Sequence, residues 1–163
     1  MRRDKQTGWP LAVEPNSLEG AKLKKWHIDE SFGFRVKIIN APMVKARGVW
    51  TLNVNRNFLQ ELVLHALTRK TTRLTGNEIR FIRQSVGLTQ AQFAEKFDVS
   101  NVAVHKWEQE GDLSPSIKWP LEREMRLFIL DGLRGKDAAL GQLYRALRSP
   151  ARPNDGKPLA VAA

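Results

Sequence analysis

Leu88 to Glu108, LTQAQFAEKFDVSNVAVHKWE, limits the possible folds more than any other stretch of this chain of 163 residues. It predicts two short helices joined by a tight turn. Thr89 to Gln92 has a hydroxyl at a helix N-cap and an amide three residues on, the pattern of a capping box. Ser100 is a good N-cap for the second helix. Phe97-Asp98-Val99 must turn the chain sharply, and aspartate tolerates the left-handed backbone that such a turn uses. Phe93, Ala94, Phe97, Val99, Val104 and Trp107 fall where two crossed helices bury them. Asn101, Val102, His105 and Lys106 are left facing outward.

The rest of the chain supplies the setting. Residues 1 to about 24 are polar and broken by Pro10, Pro15 and Gly20. They read as an arm without fixed structure. In an alternative reading, Arg2, Arg3 and Lys5 touch phosphate. From Trp26 to Val54 apolar and polar residues alternate. Phe34, Val36 and Ile38 share one face, and later Trp50, Leu52 and Val54 do. Asn40-Ala41-Pro42 and Arg47-Gly48 punctuate these runs. The pattern predicts a small antiparallel sheet of two or three strands, too small to stand alone. Trp26 and Trp50 read as core or interface residues.

A helix beginning at Asn57-Phe58-Leu59-Gln60 follows, with Phe58, Leu59, Leu62, Val63, Ala66 and Leu67 as its apolar stripe. Arg69, Lys70 and Arg73 form a basic exit. His65 on this helix reads as a surface or half-buried residue. Thr75 to Glu78 is a second capping box, opening a helix from about Gly76 to Val86 that Gly87 stops. After the two central helices comes a loop, Glu110 to Pro115. A helix then starts near Pro120, with Leu121, Met125, Phe128 and Ile129 on one side. Trp119 reads as core or as a dimer contact. A last helix is expected from Lys136 to about Arg148, and disorder from Ser149 to the end. The expected fold class is α+β: a flexible arm (1–24), a small sheet-plus-helix region (25–72) for a partner or dimer contact, a helical domain (73–148) and a tail (149–163).

Charge and composition narrow the function. The net charge is +10, with a pI near 10.3. That surplus points to a polyanion, nucleic acid before an anionic membrane. The absence of cysteine removes disulfides, iron–sulfur clusters, cysteine zinc fingers and thiol catalysis. No secretory leader and no membrane span are expected, so the chain reads as cytoplasmic. No P-loop, H-x-x-x-H, G-x-G-x-x-G or serine–histidine–aspartate spacing is present, and Asp29 and Glu30 are adjacent and point apart. No enzyme activity, metal or cofactor is expected.

A helix that buries one face and shows donors and a cation on the other suits a DNA major groove. Lys106 can donate to a guanine edge or a phosphate, Asn101 can pair with an adenine edge, and Val102 can touch a thymine methyl. His105 touches phosphate or faces water. Gln90, Ser100 and Lys118 are the candidate phosphate anchors, with Arg80 and Arg69 as weaker ones.

The string G-L-T-Q-x-x-F-A-x-x-F-x-V-S-x-x-x-V-x-x-W-E, with its flanking helices, resembles the Cro/cI-type (Xre) helix-turn-helix family over about Leu74 to Leu133. The resemblance implies a five-helix domain that binds double-stranded DNA, usually as a homodimer on palindromic operators. It implies a backbone contact for Gln90 and one near Ser100. It implies base reading by Asn101, Val102 and Lys106, and a structural ion pair between Arg83 and Glu108. The string from Leu74 to Arg83, LTGNEIRFIR, with a strand-rich part before it, also looks like the C-terminal half of the MqsA/YgiT-type antitoxins. That likeness implies an autorepressor with a toxin protein as partner. Those antitoxins carry a cysteine-built zinc domain as their toxin-facing part, and this chain has no cysteine. They often have glycine in the turn, where this chain has Asp98. A stand-alone phage or mobile-element repressor, and an interaction adaptor whose helix-turn-helix no longer reads DNA, are the other readings.

Overall fold

A computed structural model describes residue 20, residues 22–133 and residues 153–162. The expected helix at 136–148, the arm cations Arg2, Arg3 and Lys5, and residues 149–152 lie outside the described residues. Among the described residues nine elements run in the order β1 (Lys22–Asp29), β2 (Val36–Ala46), β3 (Val49–Leu52), α1 (Arg56–Arg69), α2 (Gly76–Ser85), α3 (Gln90–Lys96), α4 (Asn101–Gln109), α5 (Trp119–Gly132) and β4 (Leu159–Ala162). The class is α+β, with five helices and a small mixed sheet.

The sheet is built on β2. β1 pairs antiparallel along one side of it, with Trp26 opposite Ile39 and Asp29 opposite Val36. On the other side β3 pairs antiparallel with one half and β4 pairs parallel with the other half, Ile38 opposite Val161. Two expectations are corrected here. The sheet is mixed and four-stranded rather than antiparallel with two or three strands. The end of the tail, expected to be disordered, contributes a strand whose Val161 is buried. Asn154 donates to the Asp112 carbonyl at 3.1 Å, which ties the tail to the loop after α4.

β1 also starts inside the expected arm, at Lys22. Asn40-Ala41-Pro42 does not end a strand, because Asn40 takes φ +53 and β2 continues. Burial passes from even positions (Val36, Ile38) to odd ones (Ala41, Met43) across that residue. Asparagine is among the few residues that enter the left-handed region cheaply. Arg47 and Gly48 both have positive φ (49 and 82) between the paired Ala46 and Val49, the geometry of a two-residue hairpin turn.

α1 is capped by Asn55, whose side chain accepts from Asn57 N at 2.9 Å and Phe58 N at 3.2 Å. Its buried face holds Leu64 and Thr68 in place of Leu62 and Ala66, which are half-buried. The helix packs on β4 and α5. One apolar core runs from Phe34, Val36 and Ile38 through Leu59 and Val63 to Ile82, Phe93, Val104 and Ile129. Phe32 and Phe34 both meet Phe81 of α2 edge-on, with centroids 5.3 and 5.5 Å apart. The packing is therefore continuous across the expected boundary at residue 72.

His65 sits half-buried on α1. Burial, helped by the charge of Arg69, lowers its pKa from 6.5 to about 4. The fold favours the neutral ring, so between these values the unfolded chain binds the proton better. The stability contributed by this group is complete above pH 6.5 and is lost as the pH falls toward 4. Allowing for partial exposure, the loss from pH 7 to pH 5 is about 1–2 kcal/mol. Urea midpoints at the two pH values measure it, and His65→Gln should flatten the difference. An unchanged difference in that variant would refute the assignment.

Candidate nucleic-acid interface

α3 and α4 form as their caps predict. Thr89 accepts from Gln92 N at 3.2 Å, and the Gln92 side chain accepts from Thr89 N at 2.9 Å. Thr75 and Glu78 form the same reciprocal box at the start of α2. Ser100 caps α4 by accepting from Ala103 N at 3.1 Å. Between the helices Asp98 takes φ +52, the left-handed turn expected of it. Phe93, Ala94 and Val104 are fully buried, and Phe97, Val99 and Trp107 pack against the same core. Phe97 lies between Phe93 and the ring of Phe128 from α5.

The other side of α4 is open. Asn101, Val102, His105 and Lys106 are exposed, Val102 at 62%. The polar three make no side-chain hydrogen bond or ion pair with another described residue. Ser100 and Lys118 are exposed at the starts of α4 and α5. The side chains expected to read bases therefore share an accessible surface.

Glu108 holds α4 in place. It is buried, yet Arg83 of α2 donates to both its oxygens, at 2.6 and 3.1 Å. Arg83 also donates to the Leu88 carbonyl at 2.9 Å, so one guanidinium ties α2 to the segment before α3 and to α4. Gln90 Nε2 donates to the same carboxylate at 2.8 Å, and Arg80 donates to the Glu108 carbonyl at 2.9 Å. Burial alone would raise the pKa of Glu108. The hydrogen bonds from Arg83 and Gln90, with the charges of Arg83 and Arg80, outweigh it and hold the carboxyl below its ordinary value.

This network adds partners that the sequence did not show. The Gln90 amide and the Arg80 guanidinium, read as phosphate contacts, also bind Glu108, while the Arg80 side chain stays 40% exposed. The basic exit at 69–73 is also largely consumed. Lys70 donates to both oxygens of Glu78 at 2.9 and 2.8 Å, and Arg73 pairs with Glu122 at 2.5 Å. Glu122 is buried and also takes Arg126 at 2.6 Å and the backbone N of Leu74 at 3.1 Å. Arg126 reaches the carbonyls of Lys70 and Thr72, so buried charges clamp the segment between α1 and α2 onto α5. The i, i+4 spacing of Glu122 and Arg126 was the available sequence signal. Arg69 remains exposed. Trp119 is half-buried in a small cluster with Leu127 and Leu130, with the guanidinium carbons of Arg73 and Arg126 5.8 and 5.4 Å from its ring centre.

Among the described residues no group of three His, Cys, Asp or Glu side chains is placed to hold a metal, and no helix is long and apolar enough to cross a membrane. Residues 79–118 match the family model described as Helix-turn-helix. That interval covers most of α2, all of α3 and α4, and the loop to α5. No curated protein and no solved structure matches the chain. The match supports a DNA-binding regulator and agrees with the coarser of the two resemblances.

Proposed function

We propose that this protein is a sequence-specific transcriptional repressor that reads double-stranded DNA with α4, works in the cytoplasm as a homodimer and has no enzymatic role. The observation that carries the reading is the division of α4. Val104, Trp107 and Glu108 fasten it to the domain, while Asn101, Val102 and Lys106 stand free beside one another. Asn101 is assigned to an adenine edge, Val102 to a thymine methyl and Lys106 to guanine O6 and N7. Ser100, His105 and Lys118 are assigned to phosphates. Gln90 opens α3, and with one amide N–H on Glu108 its second is assigned to phosphate. Dimerisation follows the family pattern, which sets half-sites about one helical turn, ~34 Å, apart. An antitoxin-like role with a toxin partner rests on the Leu74–Arg83 likeness alone.

Footprinting on the DNA upstream of the gene supplies an operator, and titration of variants on it tests the assignment. Lys106→Ala should lower specific affinity by about 1–3 kcal/mol and relax the preference at one operator position. Wild-type affinity and an unchanged base preference would remove Lys106 from the reading surface. Absence of any sequence-selective binding would favour the adaptor reading.

A further inference from the structure

The basic surplus does not lie with α4. Lysine and arginine outnumber acidic residues seven to two between Lys22 and Leu52, whereas eight face nine between Arg73 and Leu133. Several cations of the helical part are also tied up in ion pairs. Among the described residues, the charge that a polyanion would meet is therefore concentrated on the sheet.

Two tryptophans lie within that charge. Trp26 and Trp50, expected as core or interface residues, are 46% and 41% exposed. The Lys24 and Lys37 ammonium groups stand 5.9 and 5.5 Å from the Trp26 ring centre, and Lys22 stands 5.2 Å from that of Trp50. Lys22, Lys24 and Trp26 occupy alternate positions in a row along β1, opposite Met43, Ala41 and Ile39 of β2. One lysine of this row stands beside each ring.

We infer that this row, with Trp26 and Trp50, is a second nucleic-acid surface, distinct from α4, that takes an unpaired single strand. Exposed rings beside cations combine the two parts of such binding, stacking of bases on aromatic faces and neutralisation of phosphates. In a duplex the base faces are covered by their neighbours, so contact with a duplex backbone would use the lysines and leave the rings idle. A second copy of the chain fits less well. Among the described residues β1 is the outer strand of the sheet, and pairing along its outer edge would bring two strands carrying Lys22, Lys24 and Lys25 together.

Fluorescence anisotropy of a labelled short oligothymidylate with the full chain tests this. Binding is expected, and Trp26→Ala and Trp50→Ala should each weaken it about tenfold. Lys24→Ala should reduce its salt dependence. Melting temperatures of the variants and their binding to operator duplex should stay at wild-type values, because both rings are at the surface. Lys106→Ala should leave oligothymidylate binding intact, which separates this surface from the α4 reading. The inference is overturned if the oligonucleotide does not bind, or if the tryptophan variants bind it like wild type. It is also overturned if a duplex of equal length suffers the same losses, or if anionic vesicles are bound and the oligonucleotide is not.

Discussion

Glu108→Ala is expected to lower the stability of the protein by about 3–5 kcal/mol and its melting temperature by roughly 10 °C or more. The cost is not the loss of an attraction alone. The Arg83 side chain is 12% exposed and its two bonds to Glu108 are 2.6 and 3.1 Å long, so the change leaves a buried guanidinium short of its counter-charge. Gln90 loses its acceptor in the same stroke. Arg83→Ala should cost less, because Glu108 keeps Gln90 and the more exposed Arg80, which can shift to serve it. Replacing both partners together, Arg83→Met with Glu108→Leu, should cost less than Glu108→Ala, because no charge is then buried alone. Thermal melts of the four proteins decide this. A Glu108→Ala melt within a few degrees of wild type would show that the network contributes little. Since the folded state holds the Glu108 carboxyl below its ordinary pKa, its contribution is complete above about pH 4.3 and fades only as the pH drops below that value. The loss assigned to His65 between pH 7 and pH 5 is therefore not a loss of this pair.

The second large effect comes from one methyl group. Gly76→Ala should destabilise by roughly 3 kcal/mol or more, although alanine is favoured over glycine in a helix by about 1 kcal/mol. A Cβ at Gly76 would lie 2.3 Å from the Trp107 carbonyl oxygen and 2.9 Å from Gly111 N. Both are backbone atoms, so no rotamer change relieves the clash. The start of α2 would have to leave the end of α4. That separation would break the bonds from Gly76 N to the Leu113 carbonyl (3.0 Å) and from Asn77 N to the Gly111 carbonyl (2.8 Å). Gly132→Ala is the matched control. It is also helical and no described residue lies within 4 Å of its added methyl, so it should be neutral or slightly stabilising. Equal denaturation midpoints for the two variants would refute the contact. Because the contact sets where α4 ends, Gly76→Ala should also weaken operator binding at temperatures where most of the chain is folded.

The sequence by itself determined the parts that depend on neighbours within a turn or two. Both capping boxes, the Ser100 cap, the left-handed Asp98 and the apolar spacing of α3 and α4 are local relations, and each appears in the structure at its expected residue. The exposure of Asn101, Val102, His105 and Lys106 follows from the same spacing, since burying Val104 and Glu108 turns them outward. Tertiary structure decided what depends on distant partners. β4 lies more than a hundred residues beyond the β2 residues it pairs with, and nothing in Leu159–Ala162 says which strand it will meet. The cations of the basic exit were legible as charges, but not as charges consumed by Glu78 and Glu122. Ionic and hydrogen-bond partners are chosen by the packing of whole elements, which leaves no period in the sequence. Trp26 and Trp50 were legible as strand residues, yet alternation gives only two faces and does not say which of them the core will cover. The motif from Leu88 to Glu108 therefore carried its own geometry, while the fold supplied the Arg83–Glu108–Gln90 fastening that holds it and set the basic aromatic surface on the sheet.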